Sequence, residues 1–189
     1  MLNVTAYKKF VSLKNGSRVL LRFLQDGDQA RLAKLFQSAP PEDHRYLTYF
    51  STDSQHFAIF LRNLNYFEMI PLTAVELDNK RLIAAALLSR GNGSTKHVGE
   101  VHCIFVSRPF QGLGLGSMLL EELISLASQA EIICLEAKVV TEQKNCIRAF
   151  RNRGFESKTL LENHFCCRNG ELHDVLFMTM PLKPTQAEF

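Results

Sequence analysis

The 189-residue chain lacks an excess of either charge: 22 Lys and Arg stand against 19 Asp and Glu, a formal net charge of +3. So balanced a composition carries no signature of a nucleic-acid or membrane partner. Long apolar runs are missing as well, none approaching the roughly 18 residues of a membrane-spanning helix. The opening "MLNVTAYKKF" has no apolar centre of the secretory kind. Cysteine is sparse and unpatterned: five residues, an odd number, with no Cys-x-x-Cys pair, and Cys166 directly before Cys167. Adjacent thiols are poorly placed to bond each other, and no His or Cys stands at zinc spacing from them. His164 and His173 are too loosely placed to change that. Reduced thiols, a cytoplasmic protein and no metal are therefore expected. No repeat, low-complexity tract or long linker interrupts the chain. With 46% hydrophobic and 22% charged residues it reads as one ordinary globular core.

What is present alternates between two periods. "SRVLLRFL" (17–24) reads as a strand. "DGDQARLAKLFQSA" places Ala30, Leu32, Leu35 and Phe36 at helical spacing before Pro40 and Pro41 stop it. "DSQHFAIFLRNLNYF" reads as a second helix; its His56, like His164 further on, is a candidate site histidine, although a lone histidine is more often structural. "PLTAVELDNKRLIAAALLSR" reads as two strands about the turn "LDNK". "HVGEVHCIFVS" and "EIICLEAKVV" read as strands, separated by a helix whose leucines 115, 119, 123 and 126 share one face. "KNCIRAFRNRGF" is a short basic helix ended by Gly154. "SKTLLENHFCC" and "LHDVLFMTMPL" flank a turn as a closing hairpin. The order is mixed α/β. Lys144, Arg148, Arg151 and Arg153 crowd the basic helix, a pattern more often a solvated face than a phosphate site.

Between strand and helix stands "RPFQGLGLGSMLL" (108–120), with glycines at 112, 114 and 116. Glycines there admit unusual dihedrals and let a ligand reach the main chain. The first N–H groups of the following helix lack intrahelical partners and sit at its positive end. Together these suit a phosphate or pyrophosphate; a plain tight connection is the bland alternative. A Walker loop needs Lys before the Ser or Thr, and Ser117 has no such neighbour. A dinucleotide fingerprint needs a different glycine spacing, nearer the start of a βαβ unit. The third pattern is Gln111-x-x-Gly114-x-Gly116 after a strand ending in valine.

That third pattern resembles the pyrophosphate-binding motif of the Gcn5-related N-acetyltransferases (GNAT). "GSRVLLRFLQDGDQARLAKLF" is similar to the family's opening strand and helix. "VVTEQKNCIRAFRNRGFE" is similar to its second cofactor segment, and "NHFCCRNGELHDVLFMTMPL" to its closing hairpin. The resemblance covers residues 16–182 as one domain, with 1–15 and 183–189 as terminal extensions. It implies a mixed twisted sheet of about seven strands flanked by about four helices. "EDHRYLTYF" and "NGELHDVLFM" are similar to a bacterial branch containing protein-lysine acetyltransferases.

By that resemblance the chain uses acetyl-CoA as acyl donor, needs no metal, and acetylates a primary amine. A protein lysine is the first choice of acceptor and a small amine the next. A non-catalytic acyl-CoA sensor on the same fold is the alternative. The oligomeric state, monomer or homodimer, stays open, with the closing hairpin as a possible edge. Ile104, Phe105 and Val106 would pair their backbone with the pantetheine arm, and the Val106 N–H would receive the oxyanion. Gln111, Gly112, Leu113, Gly114, Leu115, Gly116 and Ser117 would wrap the pyrophosphate. Glu100 is the first candidate for general base and His102, of the same strand parity, the second. Counted back from Gln111, Glu100 falls one position early. That would turn it to the other sheet face unless a bulge intervenes. Relatives place a tyrosine acid where this chain has Phe150, which can only pack against the coenzyme arm. They carry asparagine where Gln143 stands. Asn145 is the nearest substitute, about 200° further round the helix.

Overall fold

The computed structural model describes residues 7–25, 27–40, 43, 65, 68–167 and 169–182. Eight strands form one sheet: β1 (Lys8–Ser12), β2 (Arg18–Phe23), β3 (Met69–Glu76), β4 (Leu82–Arg90), β5 (Val98–Val106), β6 (Cys134–Val140), β7 (Glu156–Cys166) and β8 (Leu172–Pro181). Their spatial order is β1-β2-β3-β4-β5-β6-β8-β7. Among the described residues three α-helices flank it: α1 (Gln29–Gln37), α2 (Leu115–Gln129) and α3 (Lys144–Arg151). The expected second helix and His56 lie outside the described residues. The additional strand is β1, which lies ahead of the strand read as first and pairs antiparallel with β2, Lys8 opposite Arg22.

The sheet is covered on both faces, which its sequence demands. Residues 82–88 of β4 are all buried, as expected for a central strand with helices on either side. Ala84, Ala86 and Leu88 join the core under α2, together with Leu115, Leu119, Leu120, Leu123 and Leu126. Ala85 and Leu87 join a second core under α1, with Leu32, Leu35 and Phe36. The alanines let both helices approach closely. Each fully buried leucine of α2 removes apolar surface worth about 1.5–3 kcal/mol from water. The N-terminus of α1 is fixed by charge. Asp28, the residue before its first turn, accepts from Arg22 at 2.6 and 3.0 Å, from Arg31 at 3.0 Å and from the Gln25 N–H at 3.0 Å.

One departure from a continuous ladder builds the site. β5 and β6 run parallel and pair only from Val98–Cys134 to Val101–Ala137. Beyond that point β5 stays with β4 as far as Val106–Ala84, and β6 stays with β8 as far as Val140–Val175. Each is therefore held by its outer neighbour while the two inner edges part. α2 begins just past the end of β5, and α3 just past the end of β6.

Candidate active site

The parted edges form a cavity of about 630 Å³ lined from β5, β6, α3 and the glycine segment. Backbone alternation decides which groups of β5 look into it. The Ser107 N–H donates to Ile83 O at 2.9 Å, on the β4 side. Successive N–H groups point to opposite edges, so the Val106 and Ile104 N–H groups face the opening. The Val106 carbonyl, on that same side, accepts from Gln111 Nε2 at 2.9 Å. Gln111 thus pins the loop to the strand end through its side chain. Its own N–H donates to Arg108 O at 3.2 Å and is already engaged.

The glycines divide their tasks. Gly112 has φ +73° and Gly114 φ +90°. Gly114 precedes the first turn of α2 in left-handed geometry, which costs a residue with Cβ about 1–2 kcal/mol. Gly116 has no such φ; a Cβ there would sit 3.8 Å from Val106 Cγ2 and 4.0 Å from Ile104 Cγ2. Its bareness keeps cavity space open. The Met118 N–H is bonded to Gly114 O, so the N–H groups of Leu115, Gly116 and Ser117 precede the helical ladder and point at the cavity mouth. Leu113 alone of this segment is not among the cavity residues; its side chain packs on the α2-side core. Lys14, on the turn between β1 and β2, also lines the cavity, and its Cε lies 3.9 Å from the Cβ position of Gly114.

Opposite the loop stands a polar cluster. The β4–β5 register shifts between Leu87–Cys103 and Leu88–Val101, leaving His102 as the extra residue of a bulge. Val101 and Ile104 face the α2-side core, whereas Cys103 and Phe105 face the α1-side core. The bulge thus turns Glu100 to the face of Cys103 and Phe105, and supplies the one-residue correction that the spacing from Gln111 required. His102 Nδ1 lies 3.7 Å from Glu100 Oε1, and His102 Nε2 lies 2.5 Å from Ser89 Oγ. Lys138 Nζ lies 3.1 Å from the same Glu100 oxygen, reaching across from β6. Burial pushes His102 below the usual imidazole value; Glu100 opposes that shift and Lys138 adds to it. The ring is therefore neutral near neutral pH.

The remaining expected residues fall on α3 and just before it. Asn145, Phe150 and also Gln143 line the cavity. Phe150 is 3% exposed and meets Phe155 edge-on at 4.8 Å. Cys103 and Cys146 line the cavity too. Burial pushes their thiols up to about 12 and about 11, with Cys146 adding to the shift at Cys103, so both stay protonated. Lys144, Arg148 and Arg151 are exposed on a separate shallow groove, while Arg153 pairs with Glu121 at 3.0 Å. His164 is exposed and is not among the cavity residues. Sequence reading missed Ser89, Lys138, Lys14, Cys103 and Cys146. Ser89, Lys138 and Lys14 reach the site only through the packing of distant segments, whereas Cys103 and Cys146 stand directly beside the named candidates His102, Ile104 and Asn145. No helix among the described residues is long and apolar enough to cross a membrane.

The fold recurs in solved structures. The GNAT domain of S. lividans PAT superposes with a TM-score of 0.73 at 20% identity, covering 93% of this chain and 97% of that one. The ribosomal-protein-S18-alanine N-acetyltransferase of Escherichia coli gives 0.69 at 19% identity, covering 90% and 98%. A GNAT superfamily phosphinothricin acetyltransferase of Sinorhizobium meliloti, solved in complex with AcCoA, gives 0.71 at 19% identity, covering 89% and 94%. At such identities the likeness is one of fold. In sequence, an uncharacterized N-acetyltransferase of Methanocaldococcus jannaschii is 32% identical over 71 residues, 38% of this chain and 31% of that relative's length. Residues 30–155, more than half of the chain, match the acetyltransferase (GNAT) family. A cleft opened between β5 and β6 and floored by Gln111-x-x-Gly114-x-Gly116 thus coincides with a match in sequence, and the chain belongs to the acetyltransferase (GNAT) family.

Proposed function

We propose that the protein is an acetyl-CoA-dependent N-acetyltransferase acting on a primary amine by direct attack in a ternary complex, with residues 16–182 as its catalytic domain. The observation that carries this reading is the parting of β5 from β6 beyond Val101 and Ala137, directly beside the free N–H groups that open α2. The diphosphate would lie on the main chain of residues 112–117, with Lys14 alongside. The pantetheine arm would lie against the open edge of β5, and the thioester near Glu100. Relatives supply acetyl groups from this coenzyme, and the cavity's donors suit its diphosphate.

Glu100 is the base, directly or through one water, because it is a carboxylate on the open strand, whereas His102 Nε2 is already in contact with Ser89 Oγ. His102 is a positioning residue, its Nδ1 3.7 Å from the carboxylate. The Val106 N–H faces the opening where the oxyanion would form, and a backbone donor suffices there. Phe150 offers no proton, so the departing thiolate takes one that the amine sheds.

A protein lysine, as in the bacterial protein-lysine acetyltransferase branch, is the preferred acceptor, with small amines next. The test follows free thiol released from acetyl-CoA across a panel of peptides and amines. Release that needs both substrates supports the enzyme; none with any acceptor would remove it. The buried, hydroxyl-free Phe150 favours one second reading, an acyl-CoA sensor, which predicts a thermal shift with CoA and no turnover.

A further inference from the structure

Among the described residues, Lys138 is the cavity-lining lysine whose amine stands beside Glu100, the proposed base. It occupies the first position of β6 beyond its pairing with β5, since Ala137 is the last residue matched, opposite Val101. Ala137 and Val101 both belong to the α2-side core, so alternation turns Lys138 to the opposite face. There its Nζ lies 3.1 Å from Glu100 Oε1, with 40% of the side chain exposed. The pair bridges the two strands at the point where they part, and Lys138 lines the same cavity as Ile104, Val106 and Gly116. A half-exposed Lys–Glu pair is a weak one, so the amine is held near the carboxylate without being locked to it.

An acceptor needs an amine, a base and an acyl carbon in one place. Lys138 and Glu100 supply two of these from the chain itself. Resting on the reading of the cavity as an acetyl-CoA site, we propose that Lys138 is itself an acceptor, acetylated in cis by its own chain. The step balances. Glu100 takes one proton from the Lys138 ammonium, and the freed Nζ attacks the thioester carbonyl carbon. The N–C bond forms while negative charge collects on the carbonyl oxygen, facing the Val106 N–H. The C–S bond then breaks, and the thiolate takes the second proton that the nitrogen sheds. The products are acetyl-Lys138, free coenzyme thiol and one proton, passed from Glu100 to water. Acetylation removes the charge of Lys138, so Glu100 loses its cationic partner and is open to an external amine.

The experiment incubates the full chain with acetyl-CoA and reads lysine acetylation by peptide mass spectrometry over time. Lys138 should gain its acetyl group faster than Lys34 and Lys96, which are exposed and outside the cavity. The ratio should be on the order of tenfold or more, a small part of what proximity can supply. The rate per molecule should not change with protein concentration, and the preference should vanish in urea. Lys138→Arg should lose the fast site with no other lysine replacing it. Labelling of Lys138 no faster than Lys96, a rate that climbs with protein concentration, or a preference that survives in urea overturns the proposal. Calorimetric titration with acetyl-CoA separates the two possible failures. Binding without preferential Lys138 labelling removes cis acetylation alone, whereas absence of binding removes the acetyl-CoA reading as well.

Discussion

Replacing Gly114 and Gly116 by alanine, one at a time, separates backbone strain from ligand space. At Gly114 the alanine Cβ would meet Lys14 Cε at 3.9 Å and Met118 Cε at 4.0 Å, both ordinary contacts. The cost there is conformational, from φ +90°, and amounts to about 1–2 kcal/mol. For a chain of this length each kcal/mol moves Tm by about 2–4 °C, so Gly114→Ala should melt roughly 2–8 °C lower. Gly116 lies inside the first turn of α2 with helical backbone. Alanine there removes the helix penalty of glycine, up to about 1 kcal/mol, and should raise Tm by up to about 4 °C. Its methyl, however, would stand in the cavity 3.8 Å from Val106 Cγ2, where the proposed coenzyme site meets the main chain. Both variants should bind acetyl-CoA at least about tenfold more weakly, a loss of about 1.4 kcal/mol. Thermal melts and calorimetric titration read the two effects independently. Gly116→Ala with higher Tm and unchanged Kd would show that the coenzyme does not use this surface. An unchanged melt for Gly114→Ala would refute the strain assigned to its φ.

Four further outcomes are expected. Glu100→Gln should lower kcat/KM for thiol release by about 10²–10⁴, whereas His102→Asn should cost about tenfold less than that, as fits positioning rather than proton transfer. An acid limb that disappears in His102→Asn but persists in Glu100→Gln would exchange their roles. His102 also bears on stability. Its folded value lies below 6.5 because of burial, so below that pH the unfolded chain binds more protons. Stability should decline as pH falls through about 6.5, and His102→Asn should flatten that slope in pH-dependent melts. Phe150→Tyr should place a hydroxyl where the family resemblance expects an acid and raise kcat, with KM for acetyl-CoA little changed; a fall in both would mean the slot has no room for it. Asp28→Asn leaves Arg22, 8% exposed, without its carboxylate. Breaking a buried pair costs about 3–5 kcal/mol. Burial raises the Asp28 value, but the Arg22 hydrogen bonds, the Gln25 N–H and the charges of Arg22 and Arg31 outweigh it, leaving it below 3.8. The stabilisation is therefore present above that pH and lost as pH falls through it, so the gap between wild type and Asp28→Asn in urea melts should close in acid.

Local pattern carried most of the fold. The leucine spacing of α2, the paired prolines after α1 and the apolar runs of β4 and β6 each follow from side-chain period and breaker residues, and they appear where expected. β1 escaped because "KKFVS" is short and edge-like, with four of its five residues exposed, so no apolar alternation marks it. The glycine loop was legible because backbone geometry is written into residue type at Gly112 and Gly114. The polar cluster was only half legible. Strand parity placed His102 with Glu100, but the bulge that orients both depends on pairing with β4. Ser89 and Lys138 join them from strands 13 and 38 residues away in sequence, through the contacts to His102 and Glu100. Lys138 has no local signature at all; its meaning comes from standing one residue past the end of a parallel ladder.

The parted strands also constrain what can fill the cavity. Unpaired backbone groups are costly to bury, and an open strand edge invites another strand. On β5 the inward N–H groups of Ile104 and Val106 alternate with groups bonded to β4. On β6 the Thr141 N–H is spent on Asp174 O of β8, so alternation turns the Val140 N–H inward as well. Water can satisfy these groups, but an extended ligand bearing its own amides does so at strand spacing and excludes water from the base. The pantetheine arm has that form. An acyl donor that kept the thioester but lacked the amides would leave the same edges wet, and Glu100 would then face bulk solvent. On the proposed function, selectivity for a coenzyme thioester over a simple one would therefore reside in the length of edge left open between Val101 and Val106. Pairing further along β5 and β6 would close the site even with every named side chain in place.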